Sequence, residues 1–295
     1  MTEVVAHSEK QTSIFSVFVE LLKMRLSLLV AFSSAFGYML GTPGNIDWLL
    51  FSGLCIGGFL ISGASITINQ ITEAKYDRLM NRTENRPLPT GRISPTNAAL
   101  YSLIIGSFGL ILVYLSTNLL TVALSLLSLV LYAFVYTPLK RVGPIAVFVG
   151  AIPGALPPLI GWVGATGAIS HEALIIFGIQ FIWQFPHFWA IAWVADEDYK
   201  RAGFKLLPGN GKKDLNTAIN IMIYTLFLLP LGLLPSYFGL TGLTSGVVAT
   251  VCGVLFLAQT FQLMKDNSRK SALKIMFSSF IYLPIVQIAY LIDKI

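Results

Sequence analysis

Asn69, Glu73 and Asp77 recur every four residues in the stretch NQITEAKYDRLMNRTENRPLPTG, which runs from Asn69 to Gly91. On a helix that spacing stacks the three side chains along one face, with about 40° of drift per step. An amide oxygen and two carboxylates in a row suit a hard divalent cation such as Mg2+, which takes oxygen ligands and leaves positions open for phosphate oxygens. Arg82 and Arg86 follow closely, and guanidinium forks match phosphate. A second cluster reads Asp196, Glu197, Asp198, Tyr199, Lys200, Arg201, and a third short run is Tyr136-Thr137-Pro138-Leu139-Lys140-Arg141. Taken singly, each run also reads as a solvated helix end or a set of charge anchors. Taken together, they point to a divalent cation and a polyanion held at one place.

The elements that must position these residues are membrane helices. The chain has 295 residues, 55% hydrophobic and only 12% charged, a composition that excludes an ordinary soluble globule. Nine apolar segments approach the length of about 20 residues needed to cross hydrocarbon. They fall near 20–40, 48–69, 97–116, 119–136, 144–163, 172–194, 217–235, 239–263 and 273–292. The expected fold is therefore all-α: one polytopic domain over residues 14–295, with nine transmembrane helices around a central cavity open near the cytoplasmic side. With the N-terminus placed in the cytoplasm, the inner segments and adjoining helix ends hold 19 of the 20 Lys and Arg residues, and only Lys294 lies outside. The positive-inside rule thus predicts a cytoplasmic N-terminus and an external C-terminus. The basic excess then faces lipid headgroups and cytoplasmic anions, so nucleic acid is not an expected partner. Residues 1–13 read as a disordered cytoplasmic tail without a signal-peptide core, and Cys55 and Cys252 as packing residues inside spans.

Both acidic clusters follow an even-numbered span on the same side, which hints at duplicated four-helix units. Span five carries Pro144, Pro153, Pro157 and Pro158 among several glycines; a broken or kinked helix is expected there, lining a cavity. Span six carries Gln180, Trp183, Gln184, Pro186, His187, Trp189 and Trp193, and polar groups inside a span face the bundle interior. Spans seven to nine read as scaffold and lipid-facing shell. Carboxylates, lysine and arginines at the mouth of a greasy chamber suit the ionisation of an allylic diphosphate. The acids hold the cation, Lys140, Arg82 and Arg86 stabilise the departing charge, and aromatic faces such as Tyr136 or Trp183 stabilise an allylic cation.

Four motifs in order carry a family resemblance: N-x3-E-x3-D-x2-M-x-R-T-x2-R-P-L-P-x-G at Asn69 to Gly91, Y-T-P-L-K-R at Tyr136 to Arg141, G-A-L-P-P-L-I-G-W at Gly154 to Trp162, and Q-x-P-H-F at Gln184 to Phe188. Over residues 20–295 the chain resembles the protohaem IX farnesyltransferases (haem O synthases) among the UbiA-type intramembrane prenyltransferases. The resemblance implies farnesyl transfer from farnesyl diphosphate to the 2-vinyl group of haem B, which is substrate and not cofactor, with Mg2+ or another divalent cation as cofactor. It implies a bacterial inner-membrane enzyme surrounded by lipid, with a haem-delivery protein or a haem A synthase as partner. By position it makes Asn69, Glu73 and Asp77 the first metal-diphosphate motif and places Asp196 and Asp198 in the second. Lys140 is a diphosphate contact, and Asp77, Lys140 and Asp198 are the catalytic set. Lys200 stands where the second motif has another Asp, which makes it a diphosphate contact beside Arg82, Arg86 and Lys140. Tyr136, Trp183, Gln184 and His187 become the acceptor pocket, with His187 as iron ligand or propionate partner. Two other readings compete. One keeps the fold and changes the acceptor to a quinone precursor or a chlorophyll-type substrate. The other is a secondary transporter, which would place its binding residues near mid-membrane.

Overall fold

In the computed structural model, residues 13–295 are described; all but the last residue of the expected 1–13 tail lies outside the described residues. The chain begins with α1 (Ile14–Leu21), and α2 (Met24–Gly41) follows after a left-handed Lys23. The first span therefore starts later than expected, at Met24. The long α3 (Trp48–Asp77) is capped by Asp47, whose carboxylate accepts from Leu49 and Leu50 N–H. It runs eight residues past the expected end at 69, which puts Asn69, Glu73 and Asp77 on its last three turns. Then come α4 (Pro95–Ser116), α5 (Leu119–Val130), a π-helical turn (Leu131–Tyr136), α6 (Thr137–Leu139), α7 (Ile145–Thr166) and α8 (His171–Val194). The chain finishes with the short α9 (Asp196–Arg201), α10 (Leu215–Tyr237), α11 (Leu243–Asp266) and α12 (Arg269–Ile292). Among the described residues nine helical segments are long and apolar enough to cross a membrane, with α5, the π turn and α6 counted as one. The all-α, nine-span architecture is as expected.

The surface inverts the soluble pattern. Leu103, Phe108, Leu115, Leu255 and Phe277 face outward, while Ser33, Thr67, Gln180, Ser279 and Gln287 are buried. Hydrocarbon offers no partner for a polar group, so such groups turn inward and bond to each other. Close approach of α2 and α7 depends on Gly37 and Gly161: a Cβ added at Gly37 would lie 1.9 Å from the Pro158 carbonyl oxygen, and one at Gly161 would lie 1.8 Å from that of Ser34. Small residues at such contacts let helix backbones pack directly in lipid.

Span five, expected to be broken or kinked and to line a cavity, lines it without a break: α7 is helical throughout with Pro153, Pro157 and Pro158 inside it. A proline withholds the N–H that would bond the carbonyl four residues back. Pro157 thereby releases the carbonyl of Pro153, which accepts from Ser128 Oγ at 3.4 Å. Pro158 releases that of Gly154, which accepts from Gln180 Nε2 at 2.8 Å. Neighbouring helices supply donors to these two carbonyls, and the helix stays intact. The irregular turn lies instead at Leu131–Tyr136. There Pro138 has no N–H to give, and the Thr137 hydroxyl donates to the carbonyl of Tyr132 at 2.9 Å.

Candidate active site

A cavity of about 450 Å³ opens within the bundle, walled by α2, α3, α5 with its π turn, α7, α8 and α12. Its charged mouth is built from the end of α3, the loop after it, and the end of α6. Glu73 Oε1 sits 2.8 Å from Lys140 Nζ, an ion pair out of hydrogen-bond alignment, with both side chains almost wholly buried. Asp77 Oδ2 accepts from Arg86 Nη1 at 2.8 Å, while Asp77 Oδ1 is buried and finds no hydrogen-bond partner among the described residues. Asn69 gives its Nδ2 to the Thr137 hydroxyl at 2.9 Å, which leaves its amide oxygen uncommitted to that bond. The π turn therefore has a use: it brings Thr137 under Asn69 and carries Lys140 to Glu73. Aromatic rings surround the lysine, with Nζ 4.7 Å from the centre of Tyr136 and 5.8 Å from that of Phe204. Burial is the largest influence on the Lys140 ammonium and works against it, but the Glu73 carboxylate, Tyr132 and Tyr199 together hold its pKa above the ordinary lysine value. The lysine stays charged where its charge is needed.

The loop between α3 and α4 folds as successive turns, pinned at several points. Arg78 Nε donates to the carbonyl of Pro89, and Thr83 Oγ1 donates to that of Asp77. Arg92 bridges to Glu20 on α1. Met80 from this loop packs with Ala202 and Phe204 from the segment after α9, so the two charged regions meet across an apolar seam. Arg141 also reaches the Tyr76 hydroxyl.

Of the residues expected from sequence, Asn69, Glu73, Asp77, Arg82, Arg86, Tyr136, Lys140, Trp183, Gln184 and His187 all line this one cavity. Asp196, Asp198 and Lys200 are at the same end but outside the lining. Asp196 Oδ2 pairs with Lys200 at 2.8 Å and with Lys213 at 3.3 Å. The Asp198 carboxylate accepts from the backbone N–H groups of Asn81 and Arg82 at 3.3 and 3.4 Å and faces Arg201 at 3.6 Å. It thus ties the second acidic cluster to the loop that carries Arg82. Among the described residues no group of three or more His, Cys, Asp or Glu is gathered as a ready-made metal site. The oxygens offered to a cation are those of the α3 row.

Some lining residues were not expected. Span nine is a cavity wall and not only outer shell: α12 contributes Phe280, Leu283, Pro284 and Gln287. Deep in the bundle, Gln180 Oε1 accepts from Gln287 Nε2 at 2.9 Å and from Ser33 Oγ at 3.3 Å. With its bond to Gly154, Gln180 links α2, α7, α8 and α12 in one satisfied network. A lone Gln inside an apolar span was the signal for Gln287.

An all-helical membrane bundle whose apolar chamber is bounded at one end by carboxylates and cations has the architecture of an intramembrane transferase acting on a diphosphate. A family model for the UbiA prenyltransferase family matches residues 30–283, and the chain belongs to that family. The chain is similar to the protoheme IX farnesyltransferase of Cytophaga hutchinsonii, 52% identical and covering 95% of this chain and 98% of that protein. The protein of that name from Christiangramia forsetii is 45% identical, over 96% of this chain and 94% of the relative. The mitochondrial protoheme IX farnesyltransferase of Arabidopsis thaliana is 38% identical over 94% of this chain and 64% of its own length. Among solved structures, one titled for digeranylgeranylglyceryl phosphate synthase has a TM-score of 0.78 at 20% identity, covering 95% of this chain and 98% of that one. A UbiA homologue from Archaeoglobus fulgidus, bound to DMAPP and Mg2+, has a TM-score of 0.66 at 17% identity, covering 92% and 98%. These structures share the fold. Family membership sets the transporter reading aside, in keeping with charges gathered at one end of the cavity.

Proposed function

We propose that this protein transfers the farnesyl group of farnesyl diphosphate to the 2-vinyl group of haem B, making haem O and releasing diphosphate. The observation that carries the reading is the joining of Glu73, Asp77, Arg82, Arg86 and Lys140 to Trp183, Gln184 and His187 around one cavity, in a chain 52% identical to a protoheme IX farnesyltransferase. The charged mouth receives the diphosphate, and the apolar chamber receives the isoprenoid and the porphyrin.

A bound divalent cation supplies Lewis-acid stabilisation of the leaving diphosphate. Asn69, Glu73 and Asp77 would hold it, and the buried, partnerless Asp77 Oδ1 is what fits such a guest. Arg86 and Lys140, now engaged with Asp77 and Glu73, are within reach of the same anion, and Arg82 approaches from the loop. These cations stabilise charge as the bond between farnesyl C1 and oxygen breaks. The Tyr136 and Trp183 faces shield the developing allylic cation. The vinyl π pair then forms the new carbon–carbon bond to farnesyl C1, and water adds to the resulting cation and gives up a proton, leaving a hydroxyethylfarnesyl group. Asp196 and Asp198 act as the second acidic set by exchanging their present partners for the cation, which releases Lys200 from Asp196 to the diphosphate. The distribution of Lys and Arg supports a cytoplasmic N-terminus, a diphosphate mouth on the cytoplasmic side and an external C-terminus in a bacterial plasma membrane. Substrate and product are both poorly soluble in water, so a haem donor and a haem A synthase fit as neighbours.

Expression in a host that lacks haem O synthesis, followed by pigment extraction and mass analysis, tests the reading. Appearance of haem O supports it. Prenylation of an aromatic acid in its place would reassign the acceptor.

A further inference from the structure

Ser279 on α12 holds both rings of the acceptor wall. Its backbone carbonyl accepts from Trp183 Nε1 at 3.0 Å, and its hydroxyl lies 2.8 Å from His187 Nδ1. The two rings stack with centroids 4.4 Å apart and planes 18° from parallel. The Ser279 hydroxyl also sits 2.6 Å from the carbonyl oxygen of Met276, to which it donates. A hydroxyl has one proton. With that proton given to Met276, the oxygen can only accept from His187, so Nδ1 carries the ring hydrogen and Nε2 carries the lone pair. His187 is 8% exposed and lines the cavity, and its Nε2 has no hydrogen-bond partner among the described residues.

Resting on the haem B reading above, we propose that Ser279 is a positioning residue that fixes His187 as the Nδ1–H tautomer, so that its bare Nε2 is offered to the porphyrin iron as an axial ligand. Bonds of this kind to the far nitrogen of a ligating imidazole set its tautomer and orientation. The arrangement also separates labour along the cavity. His187 grips the centre of the macrocycle, and the cations at the mouth take the diphosphate, so the vinyl edge is presented between them.

The test is a titration of purified protein with ferric haem B, followed by absorption and EPR, with haem O formation measured in parallel. The wild type should bind haem with an imidazole-ligated spectrum. His187→Ala should lose that signature and regain it on addition of free imidazole. Ser279→Ala should weaken haem binding by about 10–100-fold, the usual cost of losing such a partner, and alter the EPR signal. Ser279→Thr, which keeps the hydroxyl, should restore both. Circular dichroism and thermal melts show which variants are folded. A Ser279→Ala spectrum and affinity equal to wild type, or a His187→Ala spectrum unchanged from wild type, would overturn the assignment. Haem O produced by a wild type that shows no imidazole-ligated haem would also overturn it while leaving the reaction intact, whereas no haem O from a haem-binding wild type would fault the reaction instead.

Discussion

Replacing Lys140 by Met isolates the charge at the cavity mouth. The substitution keeps most of the aliphatic stem and removes an ammonium that lies 2.8 Å from Glu73 and over the Tyr136 ring. Two effects are expected, and they are separable. The first is loss of a donor aimed at the departing diphosphate, which costs about 10²–10³-fold in kcat, or roughly 3–4 kcal/mol. The second is an uncompensated carboxylate at Glu73, whose side chain is only 6% exposed. Removing one partner of a buried pair costs about 3 kcal/mol, which should lower the melting temperature by several degrees in a chain of this size. Adding Glu73→Gln to Lys140→Met removes the orphaned charge and should recover much of the lost stability without recovering turnover. The assay is haem O formation in detergent or nanodiscs below the melting point, with the folded fraction measured alongside. A folded Lys140→Met enzyme turning over within about threefold of wild type would show that the ammonium is not a charge-stabilising donor, whose loss costs far more.

Other expectations follow from the same geometry. Because Glu73 raises the pKa of Lys140, the stabilisation from this pair is fully present below the unfolded lysine value and fades only as pH climbs through the higher folded one; activity between pH 7 and 9 should show no loss assignable to Lys140, checked by comparing the pH profiles of wild type and Lys140→Arg. Gly37→Ala pushes a methyl against the Pro158 carbonyl and should destabilise by about 1–3 kcal/mol as an over-packed contact, read as a fall in melting temperature. Asp198→Ala frees the backbone N–H groups of Asn81 and Arg82 and should raise the KM for farnesyl diphosphate about tenfold, equivalent to about 1.4 kcal/mol, with faster proteolysis within residues 78–94. Chelation should abolish turnover while leaving the melting temperature nearly unchanged, and added Mg2+ should restore it.

How far sequence could anticipate this site depends on the kind of information each feature needs. The nine spans were legible because about 20 residues of apolar chain have few other uses, and the α3 row was legible because a four-residue period has a fixed meaning on a helix. Pairing was not legible. That Glu73 meets Lys140, and Asp77 meets Arg86, depends on where the π turn and the folded loop deliver each cation, and nothing local to residue 73 encodes residue 140. The prolines of α7 misled for a related reason: Pro157 and Pro158 free two carbonyls, but Ser128 and Gln180 on other helices receive them. Charge content underrated α12, whose contribution comes from uncharged Ser279 and Gln287. The second acidic cluster was legible as a cluster, whereas the attachment of Asp198 to the loop backbone emerges only in three dimensions.

The most direct test of the central claim is reconstitution of purified protein with farnesyl diphosphate, haem B and Mg2+, with the porphyrin product identified by mass. The expected result is haem O and free diphosphate in equal amounts, dependent on the divalent cation and lost in Asp77→Ala while membrane insertion persists. Folded, haem-loaded protein that yields neither haem O nor diphosphate, or Asp77→Ala with undiminished turnover, would contradict it.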